Sequence, residues 1–214
     1  MLLRILIFLT ALSATPAMAD PCMAQVQALF DGPLDPLQRG PYRSETQVMT
    51  REGQVMRVFD TITQTPQRAI TTERGSGLHM LVYDDRRWTG PSPDGPWTPA
   101  VQSLPEPSPR ALRGRLAERR ANLANPVCAG PEDIGGRQLL RFSFTTQSDL
   151  PGAGGTLAQQ ETVWTDPQTG QVLIHARSGF QAPVSPLASV TRPQEVHVTR
   201  YAPDPELRIA APTE

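Results

Sequence analysis

Only two cysteines occur in the 214 residues, Cys22 and Cys128, and the compartment the chain folds in decides what they can do. The amino terminus addresses the compartment. Arg4 gives a short positive start, Leu6 to Ala14 is an apolar run too short to span a bilayer, and Ala17-Met18-Ala19 has the form of an A-x-A cleavage site. Residues 1–19 are therefore expected to be a signal peptide. Pro16 and the small residues after it suit a peptidase better than an uncleaved anchor, and Ala19-Asp20-Pro21 before Cys22 does not form a lipobox. No stable membrane span is expected after cleavage.

Exported chains keep disulfides. A thiol nucleophile needs a depressed pKa and a base beside it, and the sequence has no Cys-x-x-Cys and no Cys-His signature. The two cysteines are expected to bond to each other. A closed loop of about 105 residues is worth on the order of 4–5 kcal/mol in the chain-entropy model, less any strain. The mature length, residues 20–214, suggests a single domain with a real core. A net charge of −1 argues against nucleic acid as a partner. Proline is abundant, at 23 residues, but the apolar runs between prolines are well formed, which argues against disorder.

Residues 20–33 read as a short helix, capped by Asp20, with Pro21 at its first position and Gly32-Pro33 after it. Strand-like runs follow from residue 42 to Trp88, punctuated by Arg51-Glu52-Gly53, Pro66, Gly75-Ser76-Gly77 and Asp84-Asp85: a meander of antiparallel strands. Residues 89–109 form a Pro-rich excursion holding Trp97. A second helix is expected from Ser108 to Asn125-Pro126, with Leu112, Leu116 and Leu123 on one face. Arg119 falls on that apolar stripe, so it must snorkel or pair with something buried. The remaining strands include residues 137–147, 158–166, 171–180 and 193–203, with "LRIAAP" (207–212) as the last. The sum is α+β: about nine or ten strands in one large antiparallel sheet and two helices. Val55 and Phe59 on one face of a strand, with Met56, Val58 and Ile62 also bulky, call for cover on both faces. Strong curvature around the helices provides it.

Three stretches, "MLVYDDRRWTGPSPDGPWTP", "CAGPEDIGGRQLLRFSF" and "ETVWTDPQTGQVLIHARSG", resemble the strand–turn–Trp segment, the acidic–apolar–Gly–strand segment and the "W…D…TG" hairpin of the periplasmic lipoprotein-carrier, or LolA-like, superfamily. The resemblance covers most of the mature chain through degenerate motifs. Asp84-Asp85 stands where related sequences often have Asp-Gly. The resemblance implies an unclosed half-barrel wrapped around helices, a periplasmic location, and a concave apolar face that receives acyl chains or lipids. It implies a non-catalytic protein whose partner is a hydrophobic small molecule, a lipid or an acylated protein, with no cofactor. An envelope-sensing or protein-interaction module on the same scaffold is the rival expectation, with an envelope protein as partner. The candidate ligand-lining side chains are Phe59, Met80, Trp88, Trp97, Phe142, Phe144, Trp164 and Phe180, with ordinary core packing as the alternative role for each.

Chemical constellations are sparse. His79, His175 and His197 each sit in a strand-like run. Glu195 and His197 share a face at i, i+2, but no third ligand lies nearby in sequence, so no metal site is assigned. Ser76 and His79 would be the pair of a hydrolase, yet Gly75-Ser76-Gly77 is not a G-x-S-x-G elbow and reads as a hairpin turn. No phosphate-binding loop or H-E-x-x-H occurs, so no catalytic residue is assigned. Five arginines of the second helix, Arg110, Arg113, Arg115, Arg119 and Arg120, could face anionic lipid or an acidic partner. A solvated helix accounts for most of them.

Overall fold

A computed structural model describes residues 20–84, 86–100, 108–150, 155–181 and 192–212; the expected signal peptide lies outside them. Helix α1 spans Pro21–Phe30. Strands β1 (Tyr42–Met49), β2 (Val55–Thr65), β3 (Arg68–Glu73), β4 (His79–Tyr83), β5 (Arg86–Gly90) and β6 (Thr98–Pro99) follow, then helix α2 (Pro109–Ala121). Strands β7 (Ala124–Ile134), β8 (Arg137–Leu150), β9 (Gly155–Thr165), β10 (Val172–Gln181) and β11 (Arg192–Pro203) complete the order. All eleven belong to one antiparallel sheet, ordered β6-β5-β4-β3-β2-β1-β11-β10-β9-β8-β7. Two meanders are thus joined at a single seam, β1 against β11. The sheet does not close on itself, and with its helices it forms the α+β unclosed half-barrel expected from the sequence. No helix among the described residues is long and apolar enough to cross a membrane.

Local chemistry explains the helices. The Asp20 carboxylate accepts from the Cys22 amide at 2.9 Å and Pro21 needs no donor partner at the first position. Val26, Leu29 and Phe30 are buried from α1 against Phe142, Phe144, Val163 and Val172 of the sheet, with Leu34 completing the cluster. Ser108 caps α2 through the Ala111 amide, 3.2 Å. No residue of α2 is buried.

Three expectations are corrected. Helix α2 ends at Ala121, not at Asn125-Pro126, and residues 124–134 form a strand in spite of Pro126 and Pro131. A strand tolerates proline where no neighbour needs the missing N–H, and β7 is the outer edge of the sheet. Register shifts flank Asn125-Pro126 and Ala129, the first next to a left-handed Asn125 (φ 52°). The Pro-rich excursion contributes the two-residue edge strand β6. Short and proline-bearing edges resist pairing with other chains. Finally, residues 207–212 form no strand. Leu207 and Ile209 are buried, and Ile209 packs with Ile70, Leu81 and Trp88, its amide bonded to the Gln64 side chain at 3.0 Å.

The Asp84-Asp85 turn also finds its explanation. Asp84 adopts φ 56°, and its carboxylate accepts from Arg68 Nε at 3.1 Å. Aspartate bears this conformation better than most residues, so the tight turn forms without glycine.

Cys22 and Cys128 are bonded, with Cα atoms 5.7 Å apart and a sequence separation of 106. The bond ties the first turn of α1 to edge strand β7 rather than to the end of α2. Cys22→Ser and Cys128→Ser should each lower the melting temperature by similar amounts, up to about 4 kcal/mol of stability, and the double variant should cost little more. Single variants that melt like the parent protein would show that the bond contributes nothing.

Candidate functional site

Strand alternation and register sort the side chains onto two faces. One row runs Phe142–Val163–His175–Thr199–Thr46–Phe59 across β8, β9, β10, β11, β1 and β2. Beside it, toward the β1–β2 hairpin, runs Glu161–Arg177–His197–Val48–Arg57. On its other side runs Tyr201–Ser44–Thr61–Thr71–Met80. These rows share the face on which α1 and α2 pack, the helix side. The opposite face carries Ile62–Ile70–Leu81–Trp88 and is covered there by the carboxyl-terminal segment and Trp97.

The candidate lining residues therefore divide. Phe142 and Phe144 are buried beneath α1, and the Phe144 and Phe30 rings meet at 5.6 Å. Phe59 and Met80 are half-buried on the same helix side. Trp88 and Trp97 lie on the opposite face. Gly90 gives Trp97 its seat, because a Cβ there would come within 2.8 Å of the Pro96 carbonyl and 3.0 Å of the indole. Trp164 also points to the opposite face, where its indole N–H donates to Glu132 at 3.0 Å. The Phe180 side chain lies outside the described residues.

The helix side also holds a polar hub. Glu161, wholly buried, accepts from Arg119 Nη2 at 2.7 and 2.6 Å, from the Thr146 hydroxyl, and from His175 Nε2 at 2.7 Å. The Arg119 guanidinium sits 5.4 Å from the Phe30 ring centre. Arg119 thus pairs with a buried group, one of the two outcomes its place on the apolar stripe required. Glu161 was the residue missed. Its signal was present: a carboxylate two positions before Val163, on the strand face that must be buried. Burial pushes the Glu161 carboxyl up, but the His175 hydrogen bond, the Arg119 charge and the Thr146 hydroxyl outweigh it and hold it far below the usual carboxylate range. Burial also pushes His175 below the ordinary histidine range, although Glu161 pulls the other way. His175 is therefore neutral at pH 7 and donates its Nε2 proton to the carboxylate, while Arg119 supplies the compensating charge.

Other candidate groups are engaged locally. The Ser76 hydroxyl donates to the Glu73 carbonyl at 2.8 Å and accepts from the Leu78 amide at 3.1 Å, while His79 Nδ1 meets the Thr72 hydroxyl at 2.7 Å. His197 and Glu195 meet at 3.3 Å. Among the described residues no group of three His, Cys, Asp or Glu side chains is placed to hold a metal. Two recesses occur. One of about 290 Å³ lies at the foot of the helix side, between the segment after α1 and Tyr42, Val172 and Tyr201. A larger one of about 560 Å³ lies on the opposite face over Ile62, Ile70 and Ala202. Much of its charged wall is occupied, Arg43 by Asp204 and both Glu45 and Asp60 by Arg74.

The hub makes a pH prediction. Both Glu161 and His175 bind a proton less readily folded than unfolded. Their contribution is complete above the unfolded histidine value of 6.5 and declines as pH falls, first through His175 and then, below 4.5, through Glu161. Glu161→Gln should cost about 3–5 kcal/mol at neutral pH, because Arg119 loses its charge partner in a largely buried setting. The melting temperature of that variant should also fall less steeply below pH 4.5. An unchanged melting curve and an unchanged acid limb would show that the hub does not hold the fold.

No protein-family profile matches the chain, and no curated protein matches it in sequence. Solved structures do match. LprF from Mycobacterium bovis aligns over 89% of this chain and 98% of its own at 12% identity, with a TM-score of 0.51. The lipoprotein LppX of Mycobacterium tuberculosis aligns over 86% and 95% at 11% identity, TM-score 0.48. A LolA superfamily protein from Nitrosomonas europaea aligns over 84% and 91% at 10% identity, TM-score 0.30. At these identities the likeness concerns architecture, and LprF carries it. Together with the open eleven-stranded sheet and its two helices, it shows that the chain shares the fold of LprF, an unclosed half-barrel.

Proposed function

We propose that this chain is a non-catalytic binding protein of the periplasm that holds a hydrophobic ligand, a lipid or an acylated protein, on the helix side of its half-barrel. Residues 1–19 would serve as its signal peptide and be removed, leaving 20–214 as one domain. The observation that carries the reading is the uneven cover of that face. Both helices pack over the β7–β8 end of the sheet, where Phe142 and Phe144 are sealed under α1. On the same face of β2 and β4, Phe59, Met80 and Val82 remain half-buried, among threonines whose methyl groups extend the apolar floor. Affinity would come from apolar burial, about 0.8 kcal/mol per methylene before ordering costs. Of the eight candidate lining residues, Phe59 and Met80 are the proposed contacts, and Phe142 and Phe144 support the helix that borders them.

A second reading has its own observation. Val55, Met56 and Leu78 are exposed, at 46, 46 and 52%, and all three lie at the end of the sheet marked by the β1–β2 and β3–β4 turns. Such a rim favours an envelope protein as partner, either delivering the ligand or replacing it.

Native mass spectrometry of mature protein purified from the periplasm, followed by organic extraction, tests the first reading. A discrete lipid-sized adduct is expected, and it should be lost in a Phe59→Asp, Met80→Asp variant that still melts cooperatively. A clean apo mass in folded, disulfide-bonded protein would overturn the lipid reading and leave the rim as the lead.

A further inference from the structure

The row Arg177–His197–Val48–Arg57 crosses the helix side one step from Phe59. Its two cations differ from most of their neighbours. Arg43, Arg68, Arg74 and Arg137 of the same sheet each hold a carboxylate. Arg57 and Arg177 hold none among the described residues. Arg57 stands over the Phe59 ring, 5.5 Å from its centre. Arg177 is half-buried, and its Nε–H, like those of Arg119, Arg120 and Arg141, is sealed from solvent with no acceptor; unlike those three, Arg177 holds no carboxylate through its other nitrogens among the described residues. A buried donor without an acceptor is a site that a ligand oxygen can satisfy.

The charged surroundings of the row are few. Glu161 is the register neighbour of Arg177, but its oxygens are taken by Arg119, Thr146 and His175. Glu195 meets His197. Burial pushes His197 below the ordinary histidine range, Glu195 pulls it back, and the charges of Arg177 and Arg57 push it down further, so both guanidinium groups are felt at one imidazole. Beneath them Val48 is buried, at 1% exposure. The row therefore carries two cations at its ends, some 14 Å apart by strand spacing, with Val48 closed beneath the side chains between them, and both cations are within reach of a common ligand through their long side chains.

We propose that the ligand is an anionic amphiphile, whose phosphate or carboxylate head lies over Val48 between Arg57 and Arg177 and whose chain runs along Phe59, Thr61 and Met80. The inference rests on the hydrophobic-ligand reading and narrows it. From Arg57 to Thr63 the strand offers about 20 Å of track, enough for a long acyl chain. Guanidinium groups suit such a head because their planar donor forks match carboxylate and phosphate oxygens.

The test compares probes with one oleoyl chain and different heads: oleate, 1-oleoyl lysophosphatidate and neutral 1-monooleoylglycerol, titrated by calorimetry into delipidated mature protein below their aggregation thresholds. At least one anionic probe should bind about tenfold or more tightly than the neutral one, with the gap shrinking in high salt. Which anion wins names the head. Arg57→Gln/Arg177→Gln should close the gap by weakening the anionic probes at least tenfold more than monooleoylglycerol, in protein that still melts cooperatively. Arg57→Gln alone, at an exposed position, should close part of it. Equal binding of all three probes would overturn the head-group assignment and leave the hydrophobic-ligand reading standing. Binding of none would overturn both.

Discussion

An ion pair between a partly buried arginine and a wholly buried carboxylate decides where the second helix lies. Helix α2 buries no residue of its own, so apolar contact alone holds it weakly. Arg119 reaches from its last turn to Glu161 on the sheet, and Arg120 bonds Asp31 just past α1 at 3.1 Å. Phe30 packs between the Arg119 guanidinium and Phe144. The placement of both helices, and with it the division of the face into a sealed half and a less covered half, follows from that arrangement. A buried charge pair contributes little net stability compared with a hydrophobic substitute, but an unpaired buried charge is costly. The arrangement therefore specifies one geometry more than it deepens the energy well.

The two helices are attached by different physics. A covalent bond fixes the start of α1 to β7. Charge and hydrogen bonds fix α2. Acid that protonates the hub weakens the second attachment and leaves the first intact, while a reductant does the reverse.

The sequence made the helices, the meanders and the α+β class legible because their signals were local, and the half-barrel came from the resemblance. Asp20-Pro21, Ser108-Pro109 and the turns at Gly53, Pro66 and Asp84 are read within a few residues, and each marks a real boundary. The disulfide followed from compartment and counting. Proline at 126 and 131 concealed β7, because whether proline is tolerated depends on the strand's place at the edge, which is a property of the whole sheet. Leu207 and Ile209 showed a strand's alternation, yet no neighbour offers them a ladder, and they dock as side chains alone. The candidate lining failed to converge for the same reason. Trp88 and Met80 are assigned to opposite faces by their register with Leu81 and Thr71, and register across a sheet with bulges is not written in any one segment. Arg57 and Arg177 were invisible as a pair, since four strands must assemble before they share a row.

The seam between β1 and β11 has a consequence for the order of assembly. Among the described residues it is the sheet's sole pairing between strands not consecutive in the chain, and it joins Tyr42 to Pro203. Each meander can zip from local hairpins, but the seam waits for the last strand to be made. Until then β1 presents an open edge, the kind that recruits foreign strands. A holdase that keeps the chain extended until residue 203 has emerged would protect that edge.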